Sequence, residues 1–162
     1  MLRLKTFSFR SLLKPTAFIF SSIVLSACNQ KSVSEKVTVW PTVKDCDLHH
    51  QTCSAINEGQ TVSLKISPDP IPIAIPLGIE IFTKNIAADK IELDISGTNM
   101  YMGYNRITLI PDEANTRYIG SAMLAFCTTG EMQWQITILI HQKDGTQIQV
   151  PYLLETQETQ MH

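Results

Sequence analysis

The sequence predicts an all-β protein, an antiparallel immunoglobulin-like β-sandwich of about seven strands. Three observations predict it. From Gln60 onward, apolar residues recur at every second position, the period of a strand with one buried face. Turn-forming residues punctuate these runs at short intervals. No segment carries the spacing of an amphipathic helix.

Taken in order, Val62, Leu64 and Ile66 alternate with Ser63 and Lys65, which predicts a strand over 60–66. Residues 68–76 (PDPIPIAIP) hold four of the eight prolines. Proline has no N–H to give to a ladder, so this stretch reads as a stiff extended loop. Leu77, Ile79 and Ile81 mark the next strand, and Ile91, Leu93 and Ile95 alternate with Glu92 and Asp94 in the one after. Strands near 106–110 and 117–124 follow, then Trp134, Ile136, Ile138 and Ile140 alternate with Gln135 and Thr137. Ile148, Val150, Tyr152 and Leu154 close the series. Turn signals lie at 84–89, 111–116 and 143–145.

The N-terminus follows a different logic. Arg3, Lys5, Arg10 and Lys14 form a basic region without an acid, and residues 17–25 (AFIFSSIVL) form a short apolar one. The apolar run is too short for a permanent membrane span and reads as a cleavable signal. Leu25-Ser26-Ala27-Cys28 then resembles the lipobox of bacterial lipoproteins. The resemblance implies cleavage after Ala27 and a diacylglyceryl group on the Cys28 thiol, with palmitate-type chains anchoring the protein to a membrane. Several acyl chains hold a protein stably where one does so marginally. Asn29 follows the cysteine where Asp favours inner-membrane retention, so the resemblance implies the periplasmic face of an outer membrane. The expected organisation is a signal peptide over 1–27, a lipidated tether over 28–36, a disulfide-loop segment over 37–59, the sandwich over 60–155, and a frayed tail over 156–162.

Charge narrows the function further. Four of the 13 Lys and Arg lie in the signal, leaving nine against 15 acids, or −6 for the mature chain. An acidic chain is a poor partner for nucleic acid. Of the four cysteines, Cys28 is assigned to lipid. Cys46 and Cys53 lie close together (CDLHHQTC), and an oxidising compartment favours a disulfide between them. Cys127 is then left over, as a buried thiol or one bound to something.

Strand parity places the remaining chemistry. If consecutive strands alternate in direction, the connections 67–76, 97–105 and 126–131 share one end of the domain. Met100, Met102, Cys127 and Met132 lie in or beside the last two. Thioether and thiolate sulfurs are soft ligands that select Cu(I), and Trp134 and Tyr104 are placed to shield such a site. The same residues also suit plainer roles, as core packing or as a metal-free protein-interaction surface that uses the proline loop.

Gly97…Met100-Tyr101-Met102-Gly103, followed by Leu124-Ala125-Phe126-Cys127…Met132-Gln133-Trp134, resembles small periplasmic YtkA-like or FixH-like domains. The resemblance covers roughly 60–155. It implies an immunoglobulin-like fold linked to copper handling or oxidase assembly, with binding or delivery of Cu(I) and a periplasmic protein partner.

Other candidates carry less. His49 and His50 point to opposite faces of an extended chain and read as a solvated pair in the cysteine loop, whose spacing fits no common zinc site. His141 stands alone at a strand end and His162 is terminal. Asp69, Asp89, Asp94 and Asp112 are dispersed, and neither a nucleophile elbow nor a phosphate-cradling glycine loop occurs. The expected protein is therefore not an enzyme.

Overall fold

Alternating apolar residues become two stacked sheets in the computed structural model, which describes residues 36–101, 103, 105–126 and 130–157. The strands in chain order are β1 Lys36–Val39, β2 Cys53–Asn57, β3 Gln60–Ser67, β4 Leu77–Lys84, β5 Lys90–Gly97, β6 Asn105–Thr108, β7 Ile110–Pro111, β8 Arg117–Ala122, β9 Glu131–His141 and β10 Thr146–Gln157. One sheet runs β1-β10-β9-β5-β6 and the other β2-β3-β4-β8-β7. Every pairing is antiparallel except β1 with β10, which is parallel.

The order β3-β4-β8-β7 opposite β5-β9-β10 is the immunoglobulin arrangement of four strands facing three. Ten strands replace the expected seven for identifiable reasons. β1 (KVTV) is exposed along its whole length, so no burial pattern marks it. β2 (CSAIN) buries only Cys53 and Ala55, too small a face to stand out. Both lie in the stretch assigned to the tether and the disulfide loop, which thus supplies an edge strand to each sheet. The strand expected over 106–110 divides at buried Leu109, where the chain passes from one sheet to the other as β6 and then β7. Gly120 on β8 makes room for this crossing: a Cβ there would collide with the Leu109 side chain and meet Ile107 Cδ1 at 3.2 Å. At the C-terminus β10 continues through Gln157, past the start assigned to the frayed tail.

The core lies between the sheets. Val62, Leu64, Ile79 and Ile81 from one sheet meet Ile91, Leu93, Ile136, Ile138, Ile140 and Val150 from the other, all buried. Burying each such side chain contributes on the order of 2 kcal/mol. Tyr152 on β10 crosses the core and donates its hydroxyl to the Val62 carbonyl at 2.8 Å, joining the two sheets. Burial pushes the Tyr152 phenol well above its ordinary pKa.

The registers give the sandwich two different ends. Residues 58–59, 85–89, 112–116 and 142–145 connect strands at one, the turn end. Residues 68–76, 98–104 and 123–130 connect them at the other, the loop end, as strand parity requires. Lys36, the first described residue, pairs with Thr146 at the start of β10, so the chain enters β1 at the turn end. Residues 44–52 reach the loop end, because Val43 bridges Tyr152 far along β10.

Candidate functional site

Four segments meet at the loop end, and backbone-directed polar contacts fasten them. Cys46 and Cys53 are joined by a disulfide, with Cys53 fully buried beneath the loop they close. Inside that loop, Asp47 Oδ1 accepts from the His49 backbone N–H at 2.9 Å, setting the turn. The His49 ring is then fixed by two backbone groups. Its Nδ1 accepts from the Ile71 N–H in the proline loop at 3.1 Å, and its Nε2 donates to the Glu155 carbonyl on β10 at 2.7 Å. Only the neutral imidazole protonated at Nε2 makes both bonds. His49 is therefore a brace between three segments rather than half of a solvated pair, and neither ring nitrogen keeps a lone pair for a metal.

His50 does lie in solvent, its ring tilted 50° from that of His49. It donates through Nδ1 to Asp69 Oδ1 at 2.7 Å, a second link to the proline loop. The hydrogen bond and the charge of Asp69 raise the His50 pKa above its ordinary value.

The remaining loops interlock in the same way. Ala74 of the proline loop donates its N–H to the Leu124 carbonyl at 2.9 Å. Asn105 Nδ2 donates to the Met123 carbonyl at 2.9 Å. The Asn99 carboxamide donates to the Glu131 carbonyl at 3.2 Å and accepts from the Gln133 N–H at 3.2 Å. Anchored backbones hold up exposed apolar side chains. Ile75 is 52% exposed, Met100 40%, Tyr101 88%, Met123 48% and Phe126 54%.

The sulfur residues divide. Met100 lies on the exposed surface, whereas Met132 is buried on the inward face of β9. Trp134, two residues on, is also inward and buried, and it donates its indole N–H to Thr156 Oγ1 at 2.9 Å. Met102, Tyr104, Cys127 and the lipidation candidate Cys28 lie outside the described residues. Among the described residues, no three His, Cys, Asp or Glu side chains converge as metal ligands. His141 donates to Glu92 Oε2 at 2.8 Å at the turn end, away from these loops.

Pattern reading did not single out Ile75, Tyr101, Met123 or Phe126. For Ile75, Tyr101 and Phe126 the signal was available, as large apolar residues in segments that alternation assigns to loops, whereas Met123 falls within the strand expected over 117–124. Comparison with protein-family models finds no match, and comparison with curated proteins finds no relative.

Proposed function

We propose that this chain is a lipid-anchored envelope protein that binds a partner protein through its loop end and performs no catalysis. One observation carries the reading: three loops that parity brings to one end each expose large apolar side chains, and all three are braced by side chain or backbone bonds. Apolar groups on a rigid, outward-facing end are what a protein interface uses, because little ordering entropy is lost on binding. The point of chain entry supports it. Residues 28–35, even fully extended, span about 27 Å, and they join β1 at the turn end. The twelve residues of β10 run about 40 Å from there to the loop end. An anchor at Cys28 would join the sandwich at the end opposite the loops.

Palmitate labelling followed by chemical cross-linking of membranes tests this. The wild-type chain takes up label and forms protein adducts. Cys28→Ser loses the label, whereas Tyr101→Ser with Phe126→Ser keeps it and loses the adducts. Adducts undiminished in that double variant would contradict the reading.

A second reading, Cu(I) binding or delivery, draws support from two exposed thioethers, Met100 and Met123, on neighbouring loops. With Met102 and Cys127 these would form a soft ligand set, and Met132 drops to a packing role. Cu(I) titration against a competing chelator tests it: a one-to-one complex lost in Met100→Leu with Cys127→Ser supports copper, and no competition excludes it.

A further inference from the structure

The loop end joins two surface chemistries. Beside the exposed apolar side chains stand five exposed carboxylates: Asp45, Asp47, Asp69, Glu131 and Glu155. The polar bonds of the loops tie the two sets together. Asn99, adjacent to Met100, holds the Glu131 backbone, and Gln133 Nε2 donates to Glu155 Oε1 at 3.1 Å. Asp69 belongs to the same proline loop as Ile75.

Cations nearby do not balance them. Lys65 is directed to Glu80 at 3.6 Å and Arg106 to Asp94 at 3.1 Å, both toward the body of the sheets. His50 is directed to Asp69, and Lys44 is exposed. The mature chain's excess of acids is thus expressed at the end that also exposes apolar groups.

Building on the partner-binding reading above, we infer that the loop end takes a cationic, apolar segment of a partner protein, in which Lys or Arg flanks large apolar side chains. Apolar side chains of the segment cover Ile75, Met123 and Phe126, and its ammonium or guanidinium groups meet the carboxylates. The rings of Tyr101 and Phe126 add exposed π faces on which a guanidinium can stack. Two flexible thioethers, Met100 and Met123, let one surface fit segments of differing shape. A membrane surface suits this end poorly, because five carboxylates repel anionic headgroups.

The test is selection of random twelve-residue peptides, displayed on phage, against the full chain in neutral detergent, followed by affinity measurement on synthetic copies of the winners. The expected winners carry Lys or Arg beside Trp, Phe, Tyr or Leu. Their affinity falls roughly tenfold in Tyr101→Ser with Phe126→Ser, the cost of losing central aromatic contacts. It falls several-fold, with a weaker dependence on salt, in Asp69→Asn with Glu131→Gln. It is unchanged in Lys143→Ala at the turn end. Winners that are acidic or uncharged, yet lost in the Tyr101/Phe126 variant, overturn the cationic partner and leave the binding end intact. No winners, or winners indifferent to that variant, overturn both. Binding of phosphatidylglycerol vesicles over phosphatidylcholine ones would assign the end to lipid and overturn the inference.

Discussion

The two ends of this sandwich solve the same connection problem in opposite ways. At the turn end, short links use residues that accept positive φ, such as Gly59, Asn85, Asn115 and Gly145. Asp112 and Asp144 carboxylates cap the adjacent backbone: Asp112 Oδ1 accepts from Thr116 and Arg117, and Asp144 Oδ1 from Thr146. These hydrogen bonds hold both carboxyls below their ordinary pKa. No large apolar side chain of those turns is exposed. At the loop end, the links are longer, and they are stabilised by a disulfide, a histidine brace and two asparagines while exposing apolar side chains. A turn needs only to reverse the chain. An end that spends a disulfide and a bidentate histidine on holding apolar groups in water is built to present them.

The largest effect that separates the ends comes from the disulfide. Replacing both Cys46 and Cys53 with Ala is expected to cost about 2.5 kcal/mol for a loop of this length on the chain-entropy account. Hydrogen exchange should quicken in residues 44–52 and 68–76 and stay unchanged in 112–116 and 142–145. Uniform loosening would show that the ends are not independent. His49→Ala comes next. It leaves the Ile71 N–H and the Glu155 carbonyl without their partner, an expected loss of about 1.5 kcal/mol by urea denaturation, with the proline loop alone becoming more exchangeable. His49→Gln tests the brace further, since a carboxamide can both accept and donate and should recover part of that loss.

On the turn end, Gly145→Ala is expected to cost about 1 kcal/mol, because φ of +81° strains any residue with a Cβ. That change should leave partner binding untouched. Tyr101→Ser and Phe126→Ser should do the reverse, shifting stability by no more than about 0.5 kcal/mol as exposed positions do, while binding is lost. The smallest effect is a pH dependence. Because Asp69 raises the His50 pKa, the stability from this pair is fully present below the ordinary histidine pKa of about 6.5 and is lost as pH rises through the elevated value. Chemical shifts of the proline loop should follow that titration, and Asp69→Asn should bring its midpoint down.

The sandwich itself was legible because alternation and burial share one cause. Val62, Leu64 and Ile66 are apolar at period two because one face of β3 meets the core. The same pattern extends to Met132 and Trp134. They share parity with Ile136, Ile138 and Ile140, and that parity already places them on the inward face of β9. Parity also located the loop end correctly, since β6 and β7 run on in one direction and count as a single strand. It could not show that His49 reaches both Ile71 and Glu155. That contact spans 106 residues of sequence to Glu155 and depends on loop conformation, about which periodicity is silent. β1 escaped notice for the opposite reason: an exposed edge strand buries nothing and leaves no pattern.

The most direct test of the difference between the ends is site-specific photo-cross-linking in the native host, with a benzophenone amino acid at Tyr101 or at Lys143. Protein adducts from position 101 and none from position 143 are the predicted result. Adducts from position 143 alone, or equal yields from both, would contradict the assignment of partner binding to the loop end.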